Sequence, residues 1–170
     1  KNYSMSHYRQ LSIGSTVITN EVIDILFDKE VPLVRHLYGC TETHVPALTY
    51  LIEPDTKHKL QLSVSQFYEH KLDRFGVLWL KGPTVTKRYL NSEATVIDAE
   101  GYWCTGDVFE REHNELVFKT REKDLINVNS FNVSPVAVET AILACDGVDE
   151  VCVTYSERGL GEKELEAVIK

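Results

Sequence analysis

The chain lacks most of what marks a specialised polypeptide. Glycine and proline are scarce, nine and five among 170 residues, which excludes low complexity and long disorder as its main character. The net charge is −8 and no cluster of lysine and arginine occurs, which argues against a nucleic-acid surface, because neutralising phosphates takes grouped cations. Arg35-His36 and Lys57-His58-Lys59 are short, and read as solvated loop and strand edge. The four cysteines form no Cys-x-x-Cys pair and match no zinc framework, so they read as reduced thiols of a cytosolic protein. The six histidines lack helical metal-ligand spacing. No apolar run is long enough to cross a membrane and nothing at the start resembles a signal peptide, so the expected location is cytoplasmic. No internal repeat is visible. The chain begins at Lys1 rather than methionine, and it is expected to be a piece of something longer.

What is present is an ordinary globular composition, 43% hydrophobic and 26% charged, in a chain long enough for one good core. Residues 11–14 form a short apolar run ending in Gly14, the profile of a buried strand before a tight turn. Asn20 is placed to cap a helix over 21–29, with Val22, Ile23, Leu26 and Phe27 as its apolar face. Pro32 follows, and 33–38 reads as the next strand. Strand, helix, strand at this spacing predicts a βαβ unit with parallel strands. Ligands of such sheets collect beyond the carboxyl ends of strands, where Gly14-Ser15-Thr16 and Gly39-Cys40-Thr41-Glu42 both lie.

From about residue 47 to 119 the pattern shifts to short β-like runs, at 77–80, 94–97 and 116–119. His113-Asn114 suits a hairpin turn in which asparagine takes the left-handed backbone. This region reads as a small barrel-like or distorted antiparallel sheet. Beyond Arg121, residues 125–128 read as a strand, and Ser134-Pro135 as a cap with proline in the first helical position. That helix is expected to run to about Cys145 and to be closed by Gly147, with strands over 148–155 and 164–170. The predicted class is thus α/β and α+β: the end of an α/β sheet layer, a β-barrel-like subdomain, then the start of a compact α+β domain.

Three constellations carry chemistry. They are Tyr38-Gly39-Cys40-Thr41-Glu42, then Gly101-Tyr102-Trp103-Cys104-Thr105-Gly106-Asp107, then Arg121-Glu122-Lys123-Asp124. By residue type alone, Tyr38 also fits a strand-end core tyrosine, Glu42 a solvated loop acid, Asp107 a turn cap and Lys123 an exposed lysine. In this order, however, the three resemble the adenylate-forming (AMP-binding) superfamily of acyl-CoA synthetases, peptide-synthetase adenylation domains and luciferases. Phe75 to Pro83 and Tyr89-Leu90-Asn91 add to the resemblance and read as structural.

The resemblance implies ATP-dependent activation of a carboxylic acid to an acyl-adenylate, with release of pyrophosphate. Transfer follows to a thiol, that of CoA or of a carrier protein's phosphopantetheine arm. By the same resemblance Tyr38 stacks on adenine, Thr41 touches the α-phosphate and Glu42 binds Mg²⁺. A flat aromatic face, a hydroxyl and a hard carboxylate oxygen are the types those tasks need. Gly14, Ser15 and Thr16, with Gly39, would border the nucleotide. Asp107 would accept from both ribose hydroxyls, Arg121 would contact ribose and phosphate, and Lys123 would be the hinge between domains. The implied division is residues 1–122 as the end of the large domain (1–46 α/β, 47–122 mostly β) and 123–170 as the start of the small one.

Some positions depart from the pattern. Ile13 and Thr120 stand where the family has glycine, as do Arg88 and Ser130. Ser130 falls where glycine lets backbone approach an incoming pantetheine, which brings a carrier-protein acceptor nearly level with CoA. Cys40, His44 and Val45 would lie near the acid, and carry no obvious partner for an α-ammonium group, which favours a fatty or aryl acid. The chain alone is expected to be inactive. A non-catalytic nucleotide-binding or scaffolding protein on the same fold is the rival reading, and a luciferase-like or reductase-coupled use of the adenylate is a further one.

Overall fold

The computed structural model describes residues 3–15, 18–56, 61–128, 131–158 and 162–170. It opens with β1 (Leu11–Gly14), α1 (Asn20–Asp28) and β2 (Val34–Tyr38). β1 and β2 run parallel, Leu11 opposite Val34 and Gly14 opposite Leu37, so α1 is the crossover of the predicted βαβ unit. The helix begins one position earlier than the sequence suggests. Thr19, not Asn20, is the cap, and its hydroxyl accepts the Val22 N–H at 3.4 Å. Thr19 has the extended backbone that a capping residue needs, whereas Asn20 is already helical. Ile23 of α1 is fully buried against Ile18, Val31, Val34 and Ile52.

β3 (Leu48–Ile52) and β4 (Ser63–Val64) extend this sheet antiparallel, in the order β1-β2-β3-β4. The reversal from β2 into β3 is tight: Tyr38 faces Leu48 in register, and the Ala47 N–H donates to the Tyr38 carbonyl at 2.8 Å.

A second, fully antiparallel sheet follows, β5 (Glu69–Leu72), β6 (Val77–Lys81), β7 (Trp103–Glu112) and β8 (Glu115–Arg121), in sequence order. The runs read at 77–80 and 116–119 fall in β6 and β8. The run at 94–97 does not become a strand, and makes only isolated bridges, Arg88 with Thr95 and Ile97 with Trp103. Thr95 explains the difference. Its hydroxyl donates to the Lys87 carbonyl at 3.1 Å and accepts the Ile97 N–H at 3.3 Å, so local bonds replace a ladder. His113-Asn114 does turn the β7–β8 hairpin, but His113, not Asn114, takes the left-handed backbone, with φ of 56°.

The register of β7 on β8 shifts between Val108 and Phe109, a bulge immediately beside Asp107. Gly76 faces it with φ of +82°, and a Cβ there would stand 2.8 Å from the Phe109 carbonyl oxygen. Leu62 pairs with Leu116 through two backbone hydrogen bonds of 2.9 and 2.8 Å, joining the end of the first sheet to the second. Leu48, Leu62, Leu78, Leu80, Phe109 and Leu116 form the core that results, and Tyr38 packs at its edge.

Past β8 a 3₁₀ turn (Glu122–Asp124) leads to β9 (Ile126–Val128) and β10 (Phe131–Val133), an antiparallel pair. The sequence reading has no counterpart for β10. α2 (Pro135–Leu143) starts as predicted, with Ser134 accepting the Ala137 N–H at 3.3 Å and Pro135 in its first turn. It ends at Leu143, short of Cys145, and Gly147 takes its left-handed φ of +86° beyond the C-cap Ala144. β11 (Val151–Arg158) and β12 (Glu162–Ile169) close the order as an antiparallel hairpin. Glu139 ties α2 to it by accepting the Val153 N–H at 2.8 Å. Among the described residues no helix is long and apolar enough to cross a membrane.

Candidate functional site

β2 delivers Tyr38 to the end of the first sheet, and the chain then turns at Gly39. A Cβ on Gly39 would lie 3.1 Å from Pro46 Cα and 3.2 Å from the Val45 carbonyl oxygen, so any side chain there would make the hairpin's own backbone shift. The Tyr38 phenol donates to Oδ2 of Asp107 at 2.6 Å, and its ring meets Phe109 edge-on with centroids 5.2 Å apart. Asp107 sits in β7 opposite Arg121 of β8, whose Nε approaches Oδ1 at 3.1 Å. The aspartate side chain is 11% exposed and that of the arginine 55%. Thr105 braces the turn ahead of it, accepting the Asp107 N–H at 3.0 Å and donating to the Leu78 carbonyl at 2.8 Å.

Burial first, and then the charge of Asp107, push the Tyr38 phenol far above the ordinary tyrosine range. It is therefore a fixed donor. A carboxylate has about four lone-pair sites. With one oxygen held by Tyr38 and the other by Arg121, Asp107 is oriented and still able to accept two further donors, such as adjacent hydroxyls.

The second cluster is built on the 3₁₀ turn Thr41–Thr43. Thr43 is fully buried, and its hydroxyl accepts the Cys40 N–H at 3.2 Å while donating to the Cys40 carbonyl at 3.1 Å. Tyr68 donates to the Thr43 carbonyl from the other side at 3.2 Å. Residues 84–89, arriving from β6, then cross the turn. The Thr86 N–H donates to the Glu42 carbonyl at 2.7 Å, the Thr86 hydroxyl lies 3.2 Å from Nε2 of His44, and the Tyr89 phenol donates to Oε1 of Glu42 at 2.6 Å. That phenol holds the Glu42 carboxyl below the usual carboxylate range. Burial pushes the Cys40 thiol up.

Among the described residues no group of three or more His, Cys, Asp and Glu could hold a metal ion by itself. Glu42 is instead a single, hard carboxylate on an ordered turn. Mg²⁺ is commonly bound by one or two carboxylates together with phosphate oxygens and water, so this donor set fits Mg²⁺ carried by a nucleotide.

The residues singled out from sequence lie as follows. Tyr38, Gly39, Thr41 and Glu42 share one turn, and Asp107 and Arg121 are joined directly. Gly14 ends β1 against Leu37, where a Cβ would lie 3.1 Å from the Leu37 carbonyl oxygen, and Ser15 follows with φ of 66°. Thr16 and Ser130 lie outside the described residues. Lys123 is exposed in the 3₁₀ turn just after Arg121. Glu42 and Asp107 do not share a partner: the first is held from residues 84–89, the second from β2 and β8. Tyr89, read from sequence as purely structural, touches Glu42. Thr43 is absent from the sequence reading, and Thr105 enters it only as part of the Asp107 motif with no role of its own, although a hydroxyl two residues ahead of Asp107 is a recognisable turn signal.

No family model matches the chain. Relatives and solved structures do. A probable CoA ligase of Humulus lupulus, CCL5, is 29% identical over 187 residues that take in 99% of this chain and 34% of that protein. The 2-succinylbenzoate–CoA ligase of Listeria innocua is 31% identical over 150 residues, 85% of this chain and 32% of that one. Among structures, O-succinylbenzoate CoA synthetase (MenE) from Bacillus subtilis, solved with the acyl-adenylate intermediate OSB-AMP, superposes with a TM-score of 0.78 at 25% identity. That match covers 99% of this chain and 37% of the synthetase. The chain spans about a third of the length of the curated relatives it matches. With the Tyr38 turn, Asp107 and Arg121 in the arrangement described, the chain belongs to the adenylate-forming (AMP-binding) superfamily.

Proposed function

We propose that this chain is the nucleotide-holding part of an AMP-forming acid–thiol ligase, and that the full-length protein joins a carboxylic acid to CoA. The observation that carries the reading is Asp107, a nearly buried carboxylate oriented through both oxygens by Tyr38 and Arg121. An anchored acceptor of that kind suits the vicinal hydroxyls of a ribose. Support comes also from the relatives, which are named as CoA ligases, and from the Bacillus subtilis synthetase, which has been solved in complex with ATP and a magnesium ion.

In this reading Tyr38, steadied by Phe109, presents a ring face to adenine, and the backbone of Gly14, Ser15 and Gly39 borders it. Asp107 accepts from the ribose, Arg121 reaches ribose and phosphate, and Thr41 offers a hydroxyl to the α-phosphate. Glu42 contributes a ligand to Mg²⁺, which when bound offsets phosphate charge. An oxygen of the acid attacks the α-phosphorus, the bond to pyrophosphate breaks, and a thiol then displaces AMP from the acyl carbon. CoA is the acceptor favoured by the relatives' names, with a carrier protein's phosphopantetheine as the alternative. Residues 1–122 close the large domain and 123–170 open the small one, with Lys123 as the hinge. Adenylation belongs to the full-length protein, and the 170-residue chain by itself is expected not to turn over ATP.

A second reading is a non-catalytic nucleotide-binding protein on the same fold. Thr120 favours it: its hydroxyl is buried without a hydrogen-bond partner, at a position where the motif has glycine. Exchange of labelled pyrophosphate into ATP by the full-length protein, across fatty, aryl and amino acids, separates the two. Exchange that depends on one acid class, and is lost in Glu42→Gln, supports the ligase. ATP binding without exchange for any acid supports the second reading.

A further inference from the structure

The contact between Tyr89 and Glu42 is left unused by the roles assigned so far. We propose that Tyr89 is a positioning residue for the metal: its phenol bonds Oε1 of Glu42 and so holds the carboxylate in place for Mg²⁺. The inference rests on Glu42 being the metal ligand, as read above.

Three observations carry it. The bond is short, 2.6 Å, and joins residues 47 positions apart, so it reflects how the fold brings residues 84–89 over the Glu42 turn. Main chain and side chain of Glu42 are gripped by the same segment, the carbonyl by the Thr86 N–H at 2.7 Å and the carboxylate by Tyr89. And Tyr89 is 49% exposed beside a Leu90 that is 92% exposed, so the ring does little packing to account for its place.

The chemistry follows from the donor. A glutamate on an exposed turn has three free torsions, and ordering it when a cation arrives costs entropy unless something already holds it. A phenol does this without cancelling charge, as a lysine would. By occupying Oε1 it also disfavours two-oxygen chelation. Mg²⁺ keeps a small, near-octahedral shell and accepts one carboxylate oxygen readily, whereas Ca²⁺ takes carboxylates in either mode. Competition for Oε1 therefore weighs more against Ca²⁺ than against Mg²⁺.

The test is ATP affinity of the full-length protein, followed by calorimetry over a series of free Mg²⁺ and then Ca²⁺ concentrations. Wild type, Tyr89→Phe, Glu42→Gln and the double variant are compared. Loss of one such bond should raise the Mg²⁺ needed for half-saturation roughly threefold to tenfold in Tyr89→Phe. The preference for Mg²⁺ over Ca²⁺ should narrow, and Tyr89→Phe should add nothing once Glu42 is glutamine. An unchanged Mg²⁺ requirement, or an equal shift in both backgrounds, overturns the positioning role while leaving Glu42 as ligand. Metal dependence that survives Glu42→Gln overturns the assignment of Glu42, and this inference with it.

Discussion

Tyr38 and Asp107 stand 69 residues apart in sequence and 2.6 Å apart in space, phenol to carboxylate. The first closes a strand of the mixed sheet and the second lies within the antiparallel one, so the bond stitches the two sheets at the point where the nucleotide is proposed to sit. It also decides what each group can be. The tyrosine is locked as a donor, and the aspartate as its acceptor, with its other oxygen held by Arg121.

Removing the phenol separates those roles. Tyr38→Phe keeps the ring against Phe109 but leaves Oδ2 of a nearly buried carboxylate short of a partner. The expected cost is about 1–3 kcal/mol of stability, read from denaturant melts of the full-length protein. Asp107→Ala acts on the ligand instead. The wild type should favour ATP over 2′-deoxy-ATP by roughly tenfold or more, the worth of a bond to a charged acceptor. In the variant that preference should vanish. A preference that persisted would remove Asp107 from the ribose.

Thr43 is the internal brace of the Glu42 turn, fully buried with its hydroxyl bonded at both ends to the Cys40 backbone. Thr43→Val keeps the shape and deletes both bonds, leaving the half-buried Cys40 N–H without that acceptor. A loss of about 1–3 kcal/mol is expected. Thr43→Ser keeps the hydroxyl and should lose less, although it gives up a buried methyl. Equal losses in the two variants would mean that packing, not the hydroxyl, sets the turn.

What was legible in the sequence is what depends on near neighbours. The βαβ unit showed in an apolar run ending at Gly14 and in the helical spacing of Ile23, Leu26 and Phe27. The Ser134-Pro135 helix start showed in its cap. Choices between adjacent residues did not: Thr19 took the cap from Asn20, and His113 took the left-handed turn position from Asn114. Each pair is close in local propensity, so context decides. In the site, the motif residues themselves were readable, but not their contacts. Nothing near Glu42 announces Tyr89, and nothing near Tyr38 announces Asp107. Both contacts exist only because residues 84–89 and β7 are carried back by strand pairing, and β10 has no counterpart in the sequence reading although β9, equally short, does.

His70 should make stability depend on pH. Nη2 of Arg111 lies 3.0 Å from its Nε2, and since a guanidinium has no lone pair to offer, that nitrogen must be the acceptor of a neutral ring. Burial, and then the charge of Arg111, hold His70 below its ordinary 6.5. A depressed folded-state value means the unfolded chain takes up the proton first. The stabilising contribution is therefore complete above about 6.5 and is lost as the pH falls through the lower, folded-state value. Melts of the full-length protein from about pH 7.5 to about pH 5.5 should show that decline, and His70→Gln should flatten part of it. Arg111→Gln should raise the histidine's titration midpoint in an NMR titration. A midpoint that did not move would leave burial as the whole cause.

Thiol labelling tests the closure of the Glu42 turn without any assumption about substrate. The thiolate is the nucleophile, so alkylation follows both access and acidity. Cys145 and Cys152 are exposed, while Cys40 and Cys104 are half-buried and pushed up, each chiefly by burial. Near neutral pH, iodoacetamide followed by mass spectrometry of peptides should modify Cys145 and Cys152 first. Cys40 should lag behind them, being both less accessible and less acidic. Cys40 also lies between Tyr38 and Glu42, so ATP with Mg²⁺ should slow it further, and should leave Cys145 untouched if that residue lies away from the nucleotide. Fast labelling at Cys40 would mean the turn opens in solution, and the bonds from Thr43, Thr86 and Tyr89 would then hold Glu42 less firmly than their geometry implies.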